Sequence, residues 1–191
     1  VSGRRGRRSE AAPRSLHLLG PGPAATLVEI AEVARTDLVV EFGAGTGRLT
    51  AELAARCLRV VAIEVDARLA GRLAHRFQAA SHVTVVHGDA LTVPLPHQPF
   101  RVVCNPPFHI TSGLLHRLLD DPRLPLVRAD VVVGWGAALA LTGVFGPAHK
   151  ARPWQSRFEF LLIRRLPAAA FQPVPGEDAA LVSIRPRAGR R

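Results

Sequence analysis

Leu38-Val39-Val40-Glu41-Phe42-Gly43-Ala44-Gly45-Thr46-Gly47 is the stretch on which the fold turns, an apolar run that breaks into three glycines at alternate positions. A short strand that ends in a glycine loop and runs into a helical pattern, here Leu49 to Arg56, opens a βαβ unit. C-terminal to it, Val60-Val61-Ala62-Ile63 reads as a second strand, about Ala67–Phe77 as a helix and Val83-Thr84-Val85-Val86 as a third strand. Phe100–Cys104 is the fourth strand, a helix over about 112–119 follows, and Ala129–Val133 is the fifth. Phe158–Ile163 and Ala179–Ile184 complete a set of seven, separated by the turn-rich Phe171-Gln172-Pro173-Val174-Pro175-Gly176. Near-continuous apolar strands alternating with helices predict an α/β, Rossmann-like fold with a mostly parallel seven-stranded sheet and helices on both faces.

On the N-terminal side, Gly20-Pro21-Gly22 reads as a turn, and Pro23 opens a helical pattern with Leu27, Ile30, Ala31 and Ala34 on one face. The expected organisation is a basic arm over 1–22, a catalytic domain over 23–187 and a basic tail over 188–191. Residues 143–157, with Gly143, Gly146, Pro147, Pro153 and Trp154, read as a loop beside the site.

A chain of 191 residues with 48% hydrophobic content is long enough for one domain with a sizeable core. No apolar run reaches the roughly 20 residues a membrane span needs, and arginines and glycines stand where a signal peptide would be apolar, so a cytoplasmic protein is expected. Cys57 and Cys104 lie in apolar surroundings without zinc-site spacing and read as reduced core residues. The eight histidines are scattered, and no metal is expected.

The net charge of +10 points to a polyanionic partner. Lys150 is the only lysine, so coding bias explains arginine over lysine, but not the excess over carboxylates. Arg4, Arg5, Arg7 and Arg8, with Arg14, make a basic arm, and Arg185, Arg187, Arg190 and Arg191 a basic end, both suited to phosphates.

The chemistry is carried by residues at successive strand ends. Dinucleotide loops read G-x-G-x-x-G, whereas here glycines fall at 43, 45 and 47 and position 48 is arginine, which suits a more compact ligand. Glu64, at the end of the second strand, can accept both hydroxyls of a ribose, and Asp89, after the third, an adenine amino hydrogen. Either carboxylate can equally cap the following helix. The pocket lacks the lysine of a P-loop, so a methionine with a sulfonium centre suits the rest of the ligand better than a phosphate chain. Asn105-Pro106-Pro107-Phe108, after the fourth strand, offers acceptors on a stiffened backbone and a flat aromatic face, a combination suited to an exocyclic amine on a base. Taken alone, the same four residues make an ordinary strand-to-helix turn with Phe108 in the core.

Over about residues 36–185 these motifs resemble the S-adenosylmethionine-dependent rRNA adenine-N6 methyltransferases, a family that includes the small-subunit dimethyladenosine transferases and the Erm macrolide-resistance enzymes. The glycine loop 43–47, Glu64 with Asp66, Gly88-Asp89-Ala90 and Asn105-Pro106-Pro107-Phe108 carry the resemblance. Arg164-Arg165-Leu166-Pro167 and Ala169-Ala170-Phe171-Gln172-Pro173-Val174-Pro175 look particularly like Erm. Ser15-Leu16-His17-Leu18-Leu19 keeps the serine of the family's cofactor-closing element and replaces its glutamine and phenylalanine, and Glu177 stands where an apolar residue is usual.

The resemblance implies an S-adenosyl-L-methionine-dependent methyltransferase fold and N6-methylation of an rRNA adenine. The expected substrate is 23S rRNA, with macrolide-lincosamide-streptogramin B resistance as the outcome; a 16S dimethyladenosine transferase and a noncatalytic rRNA-binding assembly factor are the alternatives. It implies Asn105, Pro106 and Phe108 as catalytic residues. For the cofactor it implies His17, Leu18, Glu41, Gly43, Ala44, Gly45, Gly47, Glu64, Val65, Asp89, Ala90 and Asn105. RNA contact is expected from Arg4, Arg5, Arg7, Arg8 and Arg14. Family members continue into a small helical RNA-binding domain, expected to be absent here, and a monomer is expected. DNA adenine and protein-glutamine methyltransferases share an Asn-Pro-Pro-aromatic motif, and the late Erm-like segment argues against both. The glycine spacing disfavours an NAD-dependent oxidoreductase.

Overall fold

The computed structural model describes residues 17–144, 147–151 and 153–187. The chain runs β1 (Leu18–Leu19), α1 (Pro21–Ile30), β2 (Leu38–Phe42), α2 (Arg48–Ala54), β3 (Arg59–Glu64), α3 (Ala67–Arg76), β4 (Val83–His87) and β5 (Phe100–Cys104). It continues with α4 (Thr111–Leu119), β6 (Leu126–Gly134), α5 (Trp135–Thr142), β7 (Phe158–Leu166), β8 (Phe171–Gln172) and β9 (Ala179–Pro186). The seven strands expected from the sequence form one sheet in the order β4-β3-β2-β5-β6-β9-β7. All pairs from β4 to β6 are parallel, and β9 enters antiparallel between β6 and β7.

Every residue of β2 and β5 is buried, because successive side chains leave opposite faces and both faces are covered. Val39, Val103 and Val132 point into one core with Leu27, Val28 and Leu53 of α1 and α2. Val40, Phe42, Val102 and Cys104 point into the other, against Leu114, Leu118 and Leu141 of α4 and α5. Each fully buried side chain of this size contributes roughly 1.5–3 kcal/mol, so the two cores fix the sheet and hence the strand ends. No helix among the described residues is long and apolar enough to cross a membrane.

The strand order reverses between β2 and β5, so the glycine loop and Asn105 sit side by side at the topological switch point, where open α/β sheets bind ligands.

Helix α1 starts two residues before the expected Pro23, with Pro21 in its first turn and Gly20 as N-cap, so Gly20-Pro21-Gly22 is the start of the helix rather than a separate turn. Its buried face is Ala24, Leu27 and Val28 with Ala31 following, and the helical pattern does not reach Ala34. The sheet ends it: Arg128 of β6 donates to Ile30 O (3.2 Å), and Arg101 of β5 donates to Glu32 O (2.9 Å) and to Ala31 O. These guanidinium groups satisfy helix-end carbonyls that a continuing helix would have paired. They are themselves held by Asp37 (2.7 Å from Arg101) and by the fully buried Asp130 (2.8 Å from Arg128).

The described part of the 143–157 segment is less loop-like than expected. It carries a 3₁₀ turn over His149–Ala151, and Ala151 and Trp154 are buried in the core.

Candidate active site

Glycine makes the switch point possible. Gly43, Gly45 and Gly47 have φ of +73°, +56° and +77°, the left-handed region where a side chain is strained. A Cβ on Gly43 would stand 3.3 Å from Pro107 Cδ, so the two strand ends approach this closely only because position 43 has none. At Gly47 a Cβ would stand 2.3 Å from Leu73 Cδ1, so the packing of α2 against α3 requires a glycine here.

One cleft gathers most of the expected residues: His17, Leu18, Gly43, Glu64, Val65, Asp89, Ala90, Asn105 and Pro106 line it. Ile63, Gly88, Pro107, His109 and Ile110 complete the wall; none of the five was among the expected site residues, although Gly88 and Pro107 fall within the quoted motifs. Glu64 is buried, and its two oxygens accept separately from Gly45 N (2.8 Å) and Asp66 N (2.9 Å). Two backbone N–H groups thus orient the carboxylate, and each oxygen keeps a lone pair for a hydroxyl. Gly45 therefore acts through Glu64. Asp66 caps α3, accepting from Arg68 N and Leu69 N, and these backbone donors, Leu69 first, hold its carboxyl below the usual range. Asp89 is exposed, and one of its oxygens takes Leu91 N (2.9 Å), which turns the chain and leaves the other free to accept.

Glu41 and Ala44 lie one layer deeper. They line a smaller recess with Leu18, Arg48 and Asn105 rather than the main cleft. The Glu41 carboxyl is buried and bonded to Thr50 Oγ1 at 2.6 Å. Desolvation pushes its pKa up to about 8, against the lowering by Thr50 and with a further push from Glu64. At neutral pH Glu41 is thus mainly the neutral acid. Burial likewise raises both thiols, Cys57 to about 11 and Cys104 further, so neither is a nucleophile. Among the described residues no group of three or more His, Cys, Asp or Glu is placed to hold a metal ion.

The Asn105 side chain has a fixed sense. Its Nδ2 donates to the His17 carbonyl at 2.7 Å. A carbonyl can only accept, so this bond assigns the amide and leaves Oδ1 facing the other way. Oδ1 is buried and has no hydrogen-bond partner among the described residues. An orphaned acceptor in a folded core costs about 1–3 kcal/mol, a cost that an incoming N–H donor would remove.

The segment that orients Asn105 is the N-terminal one, whose docking the sequence left open. Leu18–Leu19 pairs antiparallel with Phe171–Gln172, Gly20 N donates to Ala170 O (3.0 Å), and Arg48 Nη1 donates to Leu19 O (3.0 Å). The His17 ring lies 3.0 Å from Pro173 O through Nδ1. The Erm-like late segment is therefore the strap that holds residues 17–20 across the cleft. The sequence signal for it is Arg48, the arginine directly after the last glycine of the loop.

Phe108 does not line the main cleft. It stands between His17, 5.8 Å away and tilted by 35°, and the edge of Phe171, 6.4 Å away at 82°, and it lines the next cavity along. It is half-buried, so one part of its ring stays open. Arg4, Arg5, Arg7, Arg8 and Arg14 lie outside the described residues.

The strand order and the crevice at its reversal define the Rossmann-like fold of S-adenosylmethionine-dependent methyltransferases. Within that class the chain belongs to the ribosomal RNA adenine dimethylase family, which it matches over residues 20–191. It is 36% identical to the ribosomal RNA small subunit methyltransferase A of Synechococcus sp. (strain JA-2-3B'a(2-13)), over 86% of this chain and 60% of that protein. It is also 36% identical to the mycinamicin-resistance protein MyrB of Micromonospora griseorubida, over 89% of this chain and 53% of that protein. Among solved structures, the 23S rRNA methyltransferase ErmE superposes with a TM-score of 0.79 at 32% identity, covering 86% of this chain and 67% of its own. The chain thus spans little more than half the length of the two curated relatives.

Proposed function

We propose that the chain transfers a methyl group from S-adenosylmethionine to the N6 amine of an adenine in 23S rRNA, as a resistance methyltransferase. The observation that carries the chemistry is Asn105, with Nδ2 tied to His17 and Oδ1 buried and waiting for a donor.

The cleft fits such a donor. Glu64 is oriented to accept two ribose hydroxyls, Asp89 keeps a free oxygen for an adenine amine, and the bare backbone at Gly43 leaves room beside Pro107. When bound, S-adenosylmethionine supplies an electrophilic methyl group on a positively charged sulfur. The chain's own task is to make a poor nucleophile attack it. The N6 lone pair is delocalised into the adenine ring, and acceptance of its two hydrogens by Asn105 Oδ1 and the Pro106 carbonyl localises the pair and stabilises the developing positive charge. The charged nitrogen loses a proton readily, so no strong general base is needed. The open part of the Phe108 ring offers a stacking surface worth roughly 1–3 kcal/mol to an extruded base, and holding amine and methyl in near-attack geometry supplies much of the remaining rate. The basic arm at Arg4, Arg5, Arg7, Arg8 and Arg14 is read as phosphate-binding.

The choice of 23S rests on the late segment 164–175, which straps the cleft, and on the likeness to ErmE and MyrB. A 16S adenine is the second reading, favoured by the equal identity to a small-subunit methyltransferase. Mapping N6-methylated adenines in both rRNAs from cells with and without the chain tests the proposal. A new mark in 23S is expected. A mark confined to 16S selects the second reading, and no mark in either refutes both.

A further inference from the structure

Beside the main cleft a second cavity of about 300 Å³ opens, with Phe108 in its wall and His109 shared with the cleft. That volume lies at the lower end of small-ligand sites. Its floor is apolar, made by Leu115 of α4, Ala137 and Leu141 of α5, and Trp154. Its exposed lining includes the basic side chains Lys150 and His116. Trp154 is locked in place: its Nε1 donates to Asp120 Oδ1 at 2.7 Å, and Asp120 Oδ2 holds His116 Nδ1 at 3.0 Å. The Asp120 carboxylate is thus engaged by two partners, which leaves Lys150 as the unopposed charge among the described lining residues.

The second observation is Thr111. It lines this cavity, only 6% of its surface is exposed, and its Oγ1 is buried without a hydrogen-bond partner among the described residues. The usual outlet for a helix threonine is the carbonyl four residues back. Here that carbonyl belongs to Pro107; it accepts from Ile110 N at 3.1 Å, and Thr111 Oγ1 makes no bond to it. A threonine whose buried hydroxyl lacks a partner among the described residues therefore stands in the wall of an apolar slot that Lys150 also lines. The pattern matches a nucleotide, which presents apolar faces, a mixed donor and acceptor edge, and a phosphate.

We propose that this cavity is a subsite for the nucleotide next to the target adenine, with its base over the apolar floor, its edge on Thr111 and its phosphate at Lys150. The proposal rests on the reading of the chain as an rRNA adenine methyltransferase, because a strand that delivers one base to Asn105 must continue past Phe108. The subsite would let the catalytic domain read sequence beside its target.

The test uses the full chain, tritiated S-adenosylmethionine and an RNA hairpin carrying the adenine found by rRNA mapping, with two further hairpins abasic at the 5′ or the 3′ neighbour. One abasic hairpin is expected to raise KM for RNA about fivefold or more with kcat within twofold. Thr111→Val should raise KM on intact RNA and add nothing on that abasic hairpin, while Lys150→Ala should lower the salt slope of RNA binding by about one. If wild type methylates the intact hairpin but Thr111→Val acts equally on all three RNAs, or Lys150→Ala leaves the slope unchanged, the subsite is wrong and the methyltransferase reading stands. If rRNA mapping finds no methylated adenine to build the hairpin on, both readings fall together.

Discussion

Replacing Asn105 by alanine separates the two things its amide does. In the proposed mechanism, loss of the Oδ1 acceptor removes a group aimed at charge that develops only in the transition state, and deletion of one such group typically lowers kcat about 10²–10³-fold, or about 2.7–4 kcal/mol. Loss of the Nδ2 bond to His17 O, 2.7 Å long, frees one tether of the segment beside the main cleft, the proposed donor site. A net hydrogen bond contributes about 0.5–1.5 kcal/mol, and residues 17–20 keep their bonds to Pro173, Ala170 and Arg48. Donor affinity should therefore weaken only about 2- to 13-fold. Asn105→Asp is the informative partner, since it keeps an acceptor at Oδ1 but turns a carboxylate oxygen toward the His17 carbonyl. It should weaken donor binding more than alanine does. Calorimetric titration of S-adenosylmethionine gives the Kd, and single-turnover methyl transfer with saturating donor gives the rate. A kcat within threefold of wild type in Asn105→Ala, or a Kd that rises as far as kcat falls, would refute the division of roles.

The Glu41 carboxyl gives a pH signature. Its pKa is raised from 4.5 to about 8 in the fold, so the native state binds the extra proton, and its stabilising contribution is complete below about pH 4.5 and lost as pH rises through about 8. Glu41→Gln should flatten the fall of unfolding free energy across that window by about 1.4 kcal/mol per pH unit. Urea titrations at pH 5 to 8 read this, and parallel curves for the two proteins sink the idea. Gly43→Ala places a Cβ at φ +73° and 3.3 Å from Pro107 Cδ. It should cost about 1–3 kcal/mol of stability and lower kcat further by moving the clamp, whereas full activity would mean that the strand ends need not approach so closely. Deleting residues 1–9 removes four arginines. The salt dependence of RNA affinity should flatten by up to about 0.9 for each phosphate the arm no longer neutralises, and an unchanged slope would clear the arm of any role.

Much of the molecule is local and therefore legible from the chain alone. Period-two burial, glycines at 43, 45 and 47, and carboxylates at strand ends depend on near neighbours, and they yielded the seven strands and, at their ends, many of the residues that line the main cleft. The start of α1 was misplaced by two residues because a proline early in a helix and a proline in a turn look alike in one dimension. What the sequence could not contain is the set of contacts between distant segments. The amide of Asn105 is oriented by a carbonyl 88 residues away, and that carbonyl is held in turn by a strap 156 residues from His17. The orphaned Thr111 hydroxyl and the cavity beside it arise where α4, α5 and the Trp154 turn meet. Sequence pattern determined the fold and which strand ends come together at the cleft, because burial periodicity and turn geometry are properties of short windows. Tertiary structure alone decided which end of the Asn105 amide faces the His17 carbonyl and which is left unpartnered among the described residues, because a hydrogen bond's direction is set by whichever partner the fold brings to it.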